Sequence, residues 1–440
     1  MRTFEELHRW IKTSRSLQTL ELLGEVRQVV GTLVESAGPL ASVGDLCTLE
    51  VGGRTAVPAE VVGFRDRRVL LMPLCATAGI SPGCTVRPMG HGFKLGFSRA
   101  LVGRVLDGMG KPMDGRPLPP PERWLSVDGA PPHALERPPI QEPFQTGIRA
   151  IDGLLTMGKG QRLGLFAGSG VGKSTLMGMV ARNSSAQVNV IGLIGERGRE
   201  VRDFLERTLG PEGLSRSVVV AATSDQSPLA RIKGALLATA LAEAFRDGGQ
   251  DVLLMLDSVT RIAHAQREIG LAVGEPPTTR GYTPSVFSLL PRLLERSGSG
   301  PSGHITALYT VLVEGDDMQE PVADTVRGIL DGHLVLRREL AHQNHYPALD
   351  VLQSVSRLMN ELVSPEQRRE AARVRQVLSV CHEARDLLSL GAYVPGNSPE
   401  IDRALELKPR VDAFLRQEVG EAATWEDTRA WLASVGGEES

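Results

Sequence analysis

Hydrophobic positions change their spacing along this chain, and the changes divide it into regions. From Glu25 to about Arg87, apolar residues fall in short β-rich runs between turn residues: Val26 to Thr32 with Gly31, Leu46 to Val51 before Gly52-Gly53, Ala59 to Phe64, and Arg68 to Met72. Short strands at such spacing predict a small antiparallel barrel. Gly103 to Pro143 is instead dense in glycine and proline, with Pro119-Pro120-Pro121 and Pro131-Pro132, and predicts an extended connector crossing the surface. After Pro143, apolar runs alternate with longer helical segments: Leu163 to Ala167, Val188 to Ile194, Ser217 to Ala222, Asp251 to Leu256, Ile305 to Leu312, and Gly332 to Leu336. Strand and helix in alternation predict a mostly parallel sheet with helices on both faces. From about Ser364 the period becomes helical, with Val374, Val377, Leu378 and Cys381 on one face, which predicts a separate helical cap.

At 440 residues the chain is too long for one ordinary core, which points to two or three domains. The formal net charge of −3 is spread over both signs, with no basic tail or stripe to attract nucleic acid. No apolar run approaches the roughly 20 residues of a membrane span. Glu5, Glu6, His8 and Lys12 interrupt the segment where a signal peptide would be apolar, so a cytosolic protein is expected. Cys47, Cys75, Cys84 and Cys381 form no C-x-x-C pair and read as small buried apolar residues. His342 and His345 have no Cys or further His near them in sequence, so a metal site is not expected there.

One stretch narrows the chemistry. Phe166-Ala167-Gly168-Ser169-Gly170-Val171-Gly172-Lys173-Ser174-Thr175 lies between a strand-like run and a helix-like run. Gly168, Gly170 and Gly172 let the backbone turn its N–H groups toward an anion at a helix N-terminus. Lys173 then reaches the β- and γ-phosphates of a nucleoside triphosphate, and Ser174 ligates Mg²⁺. The strict pattern asks for glycine where this chain has Ala167. Val252 to Asp257 is an apolar run ending in a carboxylate, the form of a buried strand whose Asp257 meets Mg²⁺ through water. Val190 to Ile194 runs into Gly195-Glu196-Arg197-Gly198-Arg199-Glu200. Strand C-termini line the ligand crevice of a parallel sheet, so Glu196 is a candidate to orient or deprotonate an attacking water; a solvated charged turn is the alternative. Asn344-His345-Tyr346-Pro347 and Ser354-Val355-Ser356-Arg357 mix aromatic and basic residues among turn formers. On the residues alone, Tyr346 stacks on a base or fills the core, and Arg357 completes a neighbour's site or makes a surface ion pair.

Gly103-Arg104-Val105-Leu106-Asp107-Gly108-Met109-Gly110, Thr146-Gly147-Ile148-Arg149-Ala150-Ile151-Asp152, Gly281-Tyr282-Thr283-Pro284-Ser285-Val286 and Glu314-Gly315-Asp316-Asp317 join these segments in an ordered set. The set closely resembles the type III secretion ATPases. These comprise the flagellum-specific export ATPases and their injectisome relatives, and are similar to the catalytic subunit of rotary ATP synthases. The likeness runs from about residue 25 to residue 415. It implies an α/β fold, a RecA-like P-loop core with an N-terminal β-barrel and a C-terminal helical domain. The implied divisions are a docking helix at 1–24, the barrel at 25–95, the ATPase domain at 96–362 and the helical domain at 363–440.

The resemblance further implies ATP hydrolysis, with ATP and Mg²⁺ as ligands, in a homohexameric ring that holds ATP between subunits. By position it assigns Gly168 to Thr175 to the phosphates, Ser174 and Asp257 to the metal, and Glu196 to the attacking water. Arg197 and Arg261 fall near the γ-phosphate, Tyr346 against adenine, and Arg357 where an adjacent subunit donates its finger. Ala167 is what export ATPases of this type tend to carry, whereas the synthase subunit has glycine. Gly391-Ala392-Tyr393-Val394-Pro395-Gly396 likewise stands where the synthase subunit shows an acidic lever segment.

The implied partners are a stator-like regulatory protein, a central-stalk protein, export substrates with their chaperones, and the membrane export gate, with no nucleic acid. The implied location is cytoplasmic, at the periphery of the inner-membrane export apparatus. Phe4, Leu7, Trp10 and Ile11 share one helical face ringed by Arg2, Arg9, Lys12 and Arg15, a docking helix for the regulatory protein with weak affinity for anionic lipid, or a helix packed on its own barrel. Flagellar duty is the expectation, with injectisome duty the alternative. Two other classes stay open: an RNA-dependent helicase of the Rho type, which needs an aromatic-lined groove in the barrel, and a non-catalytic ring subunit, which usually lacks the carboxylate at Glu196.

Overall fold

The computed structural model of the chain describes residues 22–436, apart from 53, 54, 76, 314 and 316. The expected docking helix at 1–24 lies almost wholly outside the described residues. Two compact units divide between Phe93 and Lys94.

The first unit is a closed six-stranded barrel in the order β1-β2-β5-β4-β3-β6. Its strands are β1 (Gly24–Val30), β2 (Leu33–Ala37), β3 (Leu46–Val51), β4 (Thr55–Arg65), β5 (Arg68–Pro73) and β6 (Thr85–Pro88). Alternate residues point inward, so Val26, Val34, Leu49, Val57, Val61, Leu71 and Val86 fill the lumen. Closure comes from β6 pairing with both β1 and β3. Two strands go beyond the apolar pattern. β2 hides a carboxylate, Glu35, which Arg68 binds at 2.8 Å, and β6 is only four residues long.

The second unit is built on a nine-stranded sheet ordered β19-β18-β12-β17-β15-β13-β14-β8, with β16 paired to β17. In chain order the strands from here are β7 (Lys94–Phe97), β8 (Arg104–Asp107), β9 (Arg123–Ser126), β10 (Pro143–Phe144), β11 (Met157–Gly158) and β12 (Arg162–Ala167). They continue as β13 (Val188–Ile194), β14 (Ser217–Ala222), β15 (Asp251–Asp257), β16 (Gly298–Ser299), β17 (His304–Leu312), β18 (Gly332–Leu336) and β19 (Val355–Ser356). β12 to β15 and β17 are buried nearly end to end, as strands covered on both faces must be. All their mutual pairings are parallel, which gathers their C-terminal ends on one edge.

The expected surface connector begins differently. Arg104–Asp107 is not an extended loop but the edge strand β8, paired parallel to β14, because Val105 and Leu106 give it an apolar face to bury. Beyond it the chain is irregular, apart from a two-stranded ribbon of β7 and β9 and a second of β10 and β11.

From Ser364, whose side chain caps the first of them, the helices Pro365–Glu383, Pro399–Leu415 and Trp425–Gly436 pack on the sheet unit. Val374, Phe414 and Leu432 join Ile151, Leu154 and Leu176 in one hydrophobic core, so these helices share their core with the sheet unit. Among the described residues no helix is long and apolar enough to cross a membrane. Cys47 and Cys84 are buried as expected, but Cys75 is exposed and Cys381 only half-buried, and all four thiols are free. Burial first, and Asp45 second, push the Cys47 thiol up to about 11.

Candidate active site

β12 delivers the chain into the loop that opens the Lys173–Asn183 helix. Gly170 and Gly172 take φ of 78° and 92°, the left-handed region where a side chain would be strained, and Gly172 is the residue at the helix N-cap. The first-turn N–H groups therefore face out of the strand edge, toward where an anion would sit. Gly168 is buried behind the loop, while Ser169, Gly170, Ser174 and Thr175 are exposed on it. Val171, 1 % exposed, pins the loop to the core.

Two neighbouring strands supply the carboxylates. The register of β13 and β15 sets Leu193 beside Asp257, three residues short of Glu196, so both acids emerge at the same edge. The Lys173 ammonium binds Asp257 Oδ1 and stands 3.8 Å from Glu196. Thr310 of β17 donates to the same Asp257 oxygen at 2.7 Å, and the second oxygen accepts no hydrogen bond among the described residues.

Glu196 is 15 % exposed. Burial and then the charge of Asp257 push its carboxyl up to about 7, against the pull of Lys173, and a hydrogen bond that its protonated form donates to Glu200 adds to the rise. Glu200 moves the other way, held low chiefly by that same hydrogen bond. The two carboxyls are thus coupled, one hydrogen bond raising Glu196 and lowering Glu200.

Gly195 makes the turn possible, since with φ of 73° any Cβ there would lie 2.7 Å from Cβ of Arg261. Arg261 is thereby packed beneath the Glu196 turn, and its buried Nε has no hydrogen-bond partner among the described residues. Arg197 leans outward, 80 % exposed, with Glu200 at 3.3 Å.

Tyr346, 40 % exposed, stands with its ring over the loop: its Cε1 lies 3.5 Å from where a Cβ on Gly172 would be. His345 beside it is buried, and burial pushes its imidazole down; His342 is exposed. Among the described residues no group of three His, Cys, Asp or Glu is placed to hold a metal. Arg357 is away from this cluster, on the exposed outer edge of the sheet after β19. Its guanidinium reaches the Arg327 carbonyl at 3.3 Å and has no carboxylate partner among the described residues.

With this geometry in view, three family models cover most of the chain. They are the ATP synthase alpha/beta family beta-barrel domain at residues 26–90, the nucleotide-binding domain of the same family at 147–356, and the T3SS EscN ATPase C-terminal domain at 363–434. A flagellum-specific ATP synthase of Bacillus subtilis is 53% identical over 418 residues, 94% of this chain and 95% of that protein. A type 3 secretion system ATPase of Xanthomonas euvesicatoria is 49% identical over 96% of each. Among solved structures, the assembled ATPase EscN from the enteropathogenic E. coli type III secretion system superposes with a TM-score of 0.88 at 43% identity, covering 94% of this chain and 100% of that one.

The chain belongs to the type III secretion ATPase family. It is an ATPase with the family's barrel, nucleotide-binding core and helical C-terminal domain, as the resemblance implied. Two partners of the family's site residues were not singled out in the sequence. Thr310 sits mid-run in an apolar strand and gave no signal. Glu200 had one, since a helix starting at Gly198 returns a residue four positions on toward Glu196.

The carboxyl pair makes the rate pH-dependent. If Glu196 is the base, its ionised form is the one that accepts a proton from water, and single-turnover hydrolysis should rise with pH through about 7, close to tenfold per unit below it. Glu200→Ala removes a contact that holds Glu196 high, so the acidic limb should move to lower pH. A limb that stays in place would show that Glu200 does not set the titration.

Proposed function

We propose that this chain is the ATP-hydrolysing motor subunit of a flagellar type III protein export apparatus, working as a homohexamer with its catalytic sites at subunit boundaries. The observation that carries it is the meeting of Lys173, Asp257 and Glu196 at one sheet edge while Arg357, at another, has no carboxylate partner among the described residues. Hydrolysis would drive conformational changes that release export substrates from their chaperones and unfold them for the export gate.

In this reading the first-turn N–H groups and Lys173 hold the β- and γ-phosphates. Glu196 orients the attacking water and takes its proton, Arg261 offers its orphan donor to the γ-phosphate, and Tyr346 packs on the base. Magnesium fits the donors present, hard oxygens from the exposed Ser174 hydroxyl and from Asp257, whose second oxygen is free of hydrogen bonds among the described residues. When bound it would neutralise charge on the phosphate oxygens. Charge developing on the transferred group is met by Lys173 and, from the neighbouring subunit, by Arg357.

The ring and a stalk partner are supported by the EscN structures, one of assembled EscN and one of EscN in complex with its central stalk EscO. Flagellar duty is supported by flagellum-specific relatives from Bacillus subtilis, Treponema pallidum and Salmonella typhimurium at 53%, 52% and 51% identity. The second reading, injectisome duty, is favoured by the Xanthomonas relative at 49%. Deleting the gene in its own host should abolish export of filament protein and motility while any needle secretion continues. Intact filaments with lost needle secretion would select the second reading.

A further inference from the structure

The coil between the last two helices, residues 416–424, carries more bonds to the sheet unit than a connector needs. Its Gln417 is 4 % exposed and fully occupied. The side-chain oxygen accepts from Arg149 N at 2.9 Å, and the amide donates to the Gly147 carbonyl at 2.8 Å and the Glu421 carbonyl at 3.0 Å. The backbone N–H of Gln417 donates to the carbonyl of Tyr346 at 2.9 Å. Arg149, equally buried, organises the rest. Its Nε donates to the Phe414 carbonyl at 3.2 Å, and its terminal nitrogens bind the Arg416 carbonyl and the Glu421 carboxylate. The guanidinium also lies 4.5 Å from the centre of the Trp431 ring.

The anchor is rigid at its own end. Asp152 accepts from Thr146 N at 2.8 Å, the Thr146 hydroxyl at 2.7 Å and Gly147 N at 2.9 Å, which fixes the loop that presents Arg149. Arg182, near the end of the phosphate-loop helix, donates to the Val419 carbonyl at 2.9 Å. The coil is thus tied to the loop before the Arg149–Leu154 helix, to the phosphate-loop helix, and to the backbone of the tyrosine whose ring covers Gly172.

We propose that Arg149 is a positioning residue for the nucleotide base, acting through Gln417 on Tyr346. This rests on the reading of Tyr346 as the base contact. Without the guanidinium, Gln417 keeps its bonds to the Arg149 backbone N–H and the Gly147 carbonyl, but the coil around it loses its hold on the Phe414 and Arg416 carbonyls and on Glu421, so the Gln417 N–H holds the Tyr346 carbonyl less firmly. The base then stacks on a poorly placed ring, while Lys173 and the loop N–H groups keep their own supports and their phosphates.

The test uses the full-length protein with ATP, and tripolyphosphate as a competitor that has phosphates but no base. Arg149→Ala should raise the KM for ATP about tenfold, keep kcat at saturation within about twofold, and leave inhibition by tripolyphosphate unchanged. Arg149→Lys, retaining part of the hydrogen bonding, should fall between. If Arg149→Ala does not fold, Glu421→Ala removes one partner of the guanidinium, a carboxylate that is 40% exposed, and should raise KM about threefold with the same selectivity. An unchanged KM, or a KM and a tripolyphosphate constant that rise together, overturns the proposal. Tyr346→Ala separates the two readings. If it too weakens ATP and tripolyphosphate alike, the base contact at Tyr346 fails; if it is selective and Arg149→Ala is not, the positioning role fails.

Discussion

Glu196→Gln is expected to slow ATP hydrolysis by roughly 10²–10⁴-fold while nucleotide affinity stays within about threefold. The amide matches the carboxylate in size, so the turn over Gly195 and the packing on Arg261 survive. What is lost, in the proposed reading, is the carboxylate that takes the proton of the attacking water. Lys173 keeps its place because its closer partner is Asp257 and Glu196 stands 3.8 Å away. The phosphates therefore still bind. Lys173→Ala differs in kind: it removes the ammonium that neutralises the buried Asp257 carboxylate and that the proposed reading sets against the phosphates, so binding and hydrolysis should both fail. Single-turnover rates beside equilibrium binding of a fluorescent nucleotide distinguish the two. The Gln variant should also lose the rise of rate through about pH 7, since no group with a carboxyl raised to about 7 remains. A Gln variant within about fivefold of the parent rate would remove Glu196 from the role of base.

The parts of this site that were legible in the sequence are those that local pattern encodes. β12, β13 and β15 are continuous apolar runs, each followed at once by its functional residues, and parallel order alone gathers such ends on one edge. Glycine spacing gave the loop, and the Cβ clash with Arg261 explains why Gly195 precedes Glu196. What stayed hidden depends on pairing between distant segments. Thr310 reaches Asp257 only because β17 lies beside β15. β8 looked like connector because a four-residue strand among glycines and prolines carries no period of its own. β2 was masked by Glu35, whose burial is tolerable only with Arg65 and Arg68 opposite. The Arg149 contacts join residues separated by more than two hundred positions, and no spacing rule reaches that far.

Arg357→Ala is expected to lower hydrolysis by the assembled protein by roughly 10³–10⁵-fold and to leave nucleotide binding by the isolated subunit unchanged. Strand direction supports action on a neighbour. Ser356 pairs with Gly332, the first residue of β18, whereas Leu336, its last, pairs with Ala167 at the mouth of the phosphate loop. Arg357 therefore adjoins the starts of strands whose ends hold the phosphates, with roughly 15 Å of strand between. An arginine side chain cannot cover that distance within its own subunit. Nor does a carboxylate neutralise its charge among the described residues: Arg327 is its neighbour, and after burial, the charges of Arg327 and Arg357 push His333 down. Such a cation gains from an anion brought by another subunit. Activity per subunit in the parent should climb with protein concentration as sites are completed, and the Ala variant should stay flat at the isolated-subunit rate. Mixing supplies the deciding comparison. Lys173→Ala subunits, which lack a working phosphate site but keep Arg357, should restore hydrolysis to Arg357→Ala subunits in mixed assemblies. If mixing restores nothing while nucleotide binding by Arg357→Ala is itself lost, the arginine serves its own subunit instead.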